Sequence, residues 1–199
     1  MPEDFEGENG PENLDEPPSF FPYDGNLPPR EPGAMGELIE VSMRLAANDA
    51  RTGERPLWFG EFGIFNQAPG GEASLTRIYD LADELRAGTA VWELDDPNYG
   101  PVERDGTLIM PRALTLARAY PLRVGGTLDA VAFDAQTSTL DVRWTQADKA
   151  GDTVLVLPSM RYPGPLTITS SPGVEIVERE DGKLVLSAPP GPAQVSVGT

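Results

Sequence analysis

One stretch holds a carboxylate in a setting suited to chemistry: Arg55-Pro-Leu-Trp-Phe-Gly-Glu-Phe-Gly-Ile-Phe65. A proline and an apolar run lead into it, Gly60 and Gly63 bracket Glu61, and aromatic residues flank the pair of glycines. A short apolar run that stops at a glycine-permitted bend reads as a buried strand, Pro56 to Gly60, with Glu61 at its C-terminal rim. About thirty residues on, Thr89-Ala-Val-Trp-Glu-Leu94 repeats the pattern, with Trp92 and Glu93 at the end of a second apolar run and Asp95 and Asp96 behind them. A carboxylate beside an indole suits a sugar, whose faces stack on aromatic rings and whose hydroxyls donate to carboxylates. Each residue has a plainer reading too: Glu61 as a turn residue, Trp92 as core. Asp95-Asp-Pro-Asn98 reads as a solvated turn rather than a calcium site.

Glycoside hydrolysis needs two carboxyl groups across the scissile bond, one a proton donor and, in retaining enzymes, the other a nucleophile about 5–5.5 Å away. Glu61 fits the nucleophile, held by rigid backbone with Trp58 and Phe62 limiting solvent. Composition removes other chemistries. There is no histidine and no cysteine among 199 residues, so Ser-His-Asp and Cys-His catalysis, thiolate metal sites and disulfides are excluded. Fifteen basic against thirty-two acidic residues give a net charge of -17, which repels nucleic acid and anionic membrane surfaces. No apolar run approaches the length of a transmembrane segment. No cofactor and no metal are implied.

The elements that must position these groups follow from periodicity. Residues 1–33 carry eight prolines and nine acidic residues against one basic residue, and read as an acidic coil. Their one apolar island is Phe20-Phe-Pro-Tyr-Asp24. Such a start is unlike a secretory signal, so the chain as written reads as cytoplasmic. From Met35 to Ala50, Leu38, Val41, Ser42, Leu45 and Ala46 mark one helix face. A second helix is expected with Ser74 as N-cap, Leu75, Ile78, Leu81, Ala82 and Leu85 as its buried stripe, and Gly88 just past its end. A third starts at Pro111 and runs to about Tyr120. Helices alternating with short strands give an α/β unit with parallel strands over 34–121. After Pro121 the period becomes two, in Leu140-Asp-Val-Arg-Trp144 and Lys183-Leu-Val-Leu-Ser187 among others. About seven short strands separated by Gly/Pro turns predict a β-sandwich over 122–199.

These motifs resemble a known family. Pro56-Leu-Trp-Phe-Gly-Glu-Phe-Gly63, Ala90-Val-Trp-Glu-Leu-Asp95 and Met110-Pro-Arg-Ala113 resemble the end of a glycoside hydrolase family 5 catalytic domain, in its endoglycoceramidase-like branch. Arg118 to Thr199 looks like the C-terminal β-sandwich of that branch. The resemblance implies an α/β plus all-β chain: the last two βα units of an incomplete (β/α)8 (TIM) barrel, then the sandwich. It implies Glu61 as nucleophile and Trp92 on the substrate side; Glu93, next to Trp92, and Tyr23, as a counterpart of the family's His/Tyr strand end, are taken with them. The implied substrate is a glycoside or glycolipid, and export is implied if a signal lies upstream.

The departures are specific. The family's acid/base lies in an Asn-Glu-Pro motif that this chain lacks, and Asp15-Glu16-Pro17 has the wrong first residue and no apolar strand before it. Only Tyr23 could descend from the family's His/Tyr strand end. A full barrel takes about 250 residues. The expectation is therefore a glycosidase piece inactive alone, with the missing barrel strands as a partner. The rival reading is a non-catalytic sandwich that buttresses a barrel or binds glycan or lipid through Trp144, Met160, Arg161 and Tyr162.

Overall fold

A computed structural model of the protein describes residues 34–94, 97–180 and 182–199. The acidic coil, Tyr23, Asp95 and Asp96 lie outside the described residues. Residues 1–38 and 39–199 form separate units, and the second holds both Glu61 and the sandwich. Its first half contains α1 (Ala34–Thr52, which begins in the other unit), β1 (Trp58–Phe62), α2 (Gly71–Leu85), β2 (Gly88–Val91) and α3 (Met110–Leu116). Strands β1 and β2 pair in parallel as a two-stranded sheet.

The stripe expected on α2 is its buried face: Leu75, Ile78, Leu81 and Ala82 are buried and Leu85 partly so. Its ends differ from the expectation. The helix starts at Gly71 behind a left-handed Gly70, ahead of Ser74. It closes at a left-handed Arg86 whose N–H reaches the carbonyls of Ala82 and Asp83, so Gly88 opens β2 instead of capping α2. Helix α1 turns a different face inward. Met43 is buried, with Ile39 packed beside it, while Val41 and Leu45 are exposed. Arg44 bonds Glu84 of α2 at 2.8 Å and Arg77 of α2 bonds Glu40 at 2.6 Å, exposed ion pairs that flank the buried contact of Met43 with the α2 stripe.

The third helix is shorter than expected. It stops at Leu116, and Tyr120–Arg123 forms β3, an edge strand paired with β6. Pro121 is tolerated in β3 because the strand lies on a sheet edge. Seven more strands follow: β4 (Gly126–Asp134), β5 (Thr139–Gln146), β6 (Thr153–Val156), β7 (Thr167–Ser170), β8 (Glu175–Glu180), β9 (Lys183–Ser187) and β10 (Gly191–Gly198). They form two antiparallel sheets, ordered β4-β5-β10-β7 and β3-β6-β9-β8. This is a β-sandwich of eight strands, one more than the alternation alone suggests.

Alternation decides its core. Along β5, Leu140, Val142, Trp144 and Gln146 are buried while Asp141, Arg143 and Thr145 are exposed. Leu155, Leu184 and Leu186 face them from the other sheet, with Val195 and Val197 of β10 alongside β5. Trp144 is wholly buried, and its indole N–H donates to Gln146 Oε1 at 2.9 Å. Tyr162 is buried as well, with no partner for its hydroxyl among the described residues. Trp144 and Tyr162 are thus core residues and offer no glycan-binding surface.

Two measurements check this core. Trp144→Ala should cost about 3–5 kcal/mol, the usual loss for an aromatic deleted from a core, read as a lowered urea midpoint. The Tyr162 hydroxyl is pushed up to about 12 by burial, with Arg161 opposing weakly. The folded state therefore holds this proton after the unfolded state has lost it. Stability present below about pH 10, the ordinary tyrosine value, should fall as pH rises towards 12. Alkaline denaturation of Tyr162→Phe should lose that slope.

Candidate active site

Strand β1 does more than end beside Glu61; it contains it. The strand spans Trp58 to Phe62, two residues later than the sequence suggests, and is not buried on both faces. Phe59 and Phe62 pack against the α1/α2 core. Simple alternation cannot turn residues 59 and 62 to the same side. The register supplies the reason: Phe59 pairs with Thr89 and Phe62 with Val91, so three steps on β1 oppose two on β2. This bulge re-phases the strand, leaving Gly60 and Glu61 exposed between two helix-facing phenylalanines. Trp58 is also out in the open, at 66 % exposure, so it does not shield the site in this chain.

Beyond β2 comes Trp92, 47 % exposed, whose backbone N–H donates to the Phe62 carbonyl at 2.7 Å. Adjoining ends of parallel strands therefore carry Glu61 and Trp92. The Trp92–Glu93 peptide is cis. Glu93 is partly buried.

Of the two glycines around Glu61, one is required. A Cβ on Gly63 would lie 2.1 Å from the Trp92 carbonyl oxygen, whereas one on Gly60 would find its nearest neighbour at 3.7 Å. Neither adopts a left-handed conformation. Close backbone approach, and not a special bend, is the reason for Gly63.

The segments leaving both strands are stitched together. Asn66 donates from its backbone to the Asn98 carbonyl at 2.7 Å, and from its side chain to the carbonyls of Pro97 and Gly100 at 2.9 and 2.8 Å. The Phe65 and Tyr99 rings lie 4.4 Å apart.

A second node joins this half to the sandwich. Buried Arg118 pairs with Asp80 and Asp83 of α2 at 3.2 and 2.5 Å, and its guanidinium lies 5.0 Å from the ring centroids of both Tyr79 and Phe133. Burial is the largest influence on the Asp83 carboxyl and raises its pKa, with Arg118 opposing. Arg161 donates twice to the Leu114 carbonyl, at 3.1 and 2.6 Å, and once to that of Ala135 at 2.8 Å. Arg161 thus faces inward to the junction, leaving Met160 as the exposed member of the surface anticipated from the sequence.

Known proteins share this fold. Residues 118–197 match the glycoside hydrolase family 5 C-terminal domain. That match spans the sandwich from Arg118 to Val197. Among solved structures, endo-glycoceramidase II from Rhodococcus sp., as a lactosyl-enzyme intermediate, is similar at 27 % identity with a TM-score of 0.70. The match covers 80 % of this chain and 37 % of that one. The ganglioside GM3 complex of the same protein matches at 26 % identity and TM-score 0.70, over 80 % and 36 % of the two chains. Sterylglucosidase 1 from Cryptococcus neoformans, at 15 % identity and TM-score 0.63, covers 83 % of this chain and 32 % of its own and shares the fold. No curated protein matches the chain. The chain thus spans about a third of the length of these proteins.

Gly63→Ala should separate the strand ends: we expect faster amide hydrogen exchange at Trp92 and a loss of about 1–3 kcal/mol, the usual range for overpacking. Gly60→Ala should leave both unchanged.

Proposed function

We propose that this chain is the part of a retaining family 5 glycoside hydrolase that supplies the nucleophile, Glu61, and the indole of the adjoining subsite, Trp92. The single observation that carries the reading is their placement: Glu61 exposed on β1, and Trp92 at the end of the neighbouring parallel strand. The endo-glycoceramidase II structures support it, since that protein forms a lactosyl-enzyme intermediate and binds ganglioside GM3. A glycosylated carboxylate is the intermediate of retaining hydrolysis. The substrate class proposed is a glycolipid or oligosaccharide with an O-glycosyl bond. Glu93 belongs to the same rim. Tyr23, assigned to the substrate side by resemblance, remains a proposal on residues outside those described.

The chain alone should not turn over. No Asn-Glu-Pro motif supplies the proton donor, and losing general-acid help commonly costs about 10²–10⁴-fold. Parallel sheets are ordinarily covered on both faces. Here α1 and α2 cover one face of β1 and β2, and Trp58, Val41 and Leu45 stand exposed around them. The proposed partner is a polypeptide carrying the remaining parallel strands of the barrel, of which β1 and β2 would be the last two.

A second reading is favoured by Arg118: the sandwich buttresses the half that bears Glu61. Arg118 and Arg161 bind α2 and the end of α3 to the sandwich through ion pairs, ring faces and carbonyls, the contacts of a fixed junction. The two readings are compatible.

Purified chain assayed on a fluorescent glycosphingolipid or an aryl glycoside should release nothing above background. Co-expressed with a polypeptide supplying the other strands and an Asn-Glu-Pro acid, it should hydrolyse, and Glu61→Gln should abolish that activity. Glu61-dependent release by the chain alone would refute the inactivity; turnover that survives Glu61→Gln would refute the nucleophile.

A further inference from the structure

Arginine is almost never fully buried unless it is paired, and Arg112 has no exposed surface at all. Its partners are informative. Nη1 donates to the Ile64 carbonyl at 2.8 Å and to the Tyr99 carbonyl at 3.1 Å, and Nη2 lies 3.4 Å from Glu72 Oε1. Ile64 is three residues past Glu61, next to Gly63. Tyr99 is seven past Trp92, next to Gly100. Glu72 is in the first turn of α2. One planar group, rooted on α3, thus holds the segment leaving β1, the segment leaving β2 and the helix between them.

The rest of the neighbourhood converges on the same two segments. Gly63 lets the Trp92 carbonyl close in. A Cβ on Gly100 would lie 2.3 Å from the Leu94 carbonyl oxygen and 2.8 Å from that of Glu93, so Gly100 lets the second segment fold back on itself. A Cβ on Gly71, at the start of α2, would lie 3.5 Å from Arg112 Nη2, so the guanidinium fills the space between the helix start and both loops. Asn66 ties the two segments by three hydrogen bonds to carbonyls of the second. A fork of fixed planar donors suits carbonyls arriving from two directions; an ammonium on a flexible stem does not reproduce it.

We propose that Arg112 is a positioning residue of the Glu61 site: it does not touch substrate, but sets the indole of Trp92 against the strand that bears Glu61. Its catalytic consequence rests on the reading of Glu61 as nucleophile; its positional role does not. Misplacement by about 1 Å can cost about 10²-fold in rate. In the completed assembly, Arg112→Lys should therefore lower kcat and raise KM together, as the subsite indole and its distance from Glu61 both change.

The positional role is testable in the chain as it stands. The chain has three tryptophans, Trp58, Trp92 and Trp144, so labelling with 5-fluorotryptophan gives three fluorine resonances, assigned with Trp58→Phe and Trp92→Phe. In Arg112→Ala, the Trp92 resonance should shift and broaden while those of Trp58 and Trp144 stay in place. Millimolar guanidinium should return it, and methylammonium should not. If Arg112→Ala does not fold, Arg112→Lys and Glu72→Gln provide the same readout, each expected to move Trp92 alone. An unmoved Trp92 resonance, or one that moves together with that of Trp58, would overturn the proposal, the latter because Arg112 would then merely hold the fold. Failure of the hydrolase reading is separate: a displaced Trp92 in Arg112→Ala, with Glu61 dispensable for turnover in the completed assembly, would keep the positioning role and remove the chemistry.

Discussion

Two peptide segments can lie against each other at the ends of β1 and β2 because residue 63 has no side chain. The Trp92 carbonyl occupies the space where any Cβ on residue 63 would sit. That contact fixes the distance between the strand holding Glu61 and the indole following β2, and the Trp92 N–H bond to Phe62 fixes its direction. The bulge between Phe59 and Phe62 then determines which way Glu61 faces. Two phenylalanines anchor the strand on the helices, and the extra residue between them leaves the carboxylate exposed. Strand pairing, close packing and carboxylate orientation are in this way consequences of one local arrangement.

That arrangement is carried by a larger frame. Helix α2 connects β1 to β2 and bears the acidic residues that meet Arg118. The Arg118 guanidinium has Tyr79 on one element and Phe133 on another within reach, and the Arg161 guanidinium lies 5.8 Å from the same Phe133 ring. Cation–ring contacts of this kind gain strength where water is excluded. The sandwich core, dense around Trp144, is thereby coupled to the element that positions the site. A wall that rigid has a clear use if β1 and β2 are the closing strands of a larger sheet, since the remaining strands would need a firm edge to pair with.

Much of this is legible in the residues, and the exceptions have physical causes. The β5 alternation and the α2 stripe read directly as buried faces, because hydropathy at period two or 3.6 is a record of burial. Residues 117–120 read as the end of a helix because the alanines among them continue a helical pattern; the sheet partner of Tyr120, β6, lies more than thirty residues downstream. The inward face of α1, Met43 and Ile39, differs from its apolar stripe, and the α2 residues it packs on lie distant in sequence. Trp144 and Tyr162 resemble a binding surface because an aromatic ring reads alike in a core and on a platform. Arg112 stands within Met110-Pro-Arg-Ala113, yet nothing in periodicity reveals a cation buried by backbone carbonyls. Tyr23 and the Asp95-Asp96 pair lie outside the described residues.

Direct trapping is the sharpest test of Glu61. A 2-deoxy-2-fluoroglycoside with a good leaving group stalls retaining hydrolysis at the glycosylated nucleophile, and peptide mass spectrometry locates the sugar. Applied to the chain assembled with the remaining barrel strands, it should leave a single glycosyl adduct on Glu61. An adduct on any other carboxylate, with Glu61 unmodified, would contradict its assignment as nucleophile.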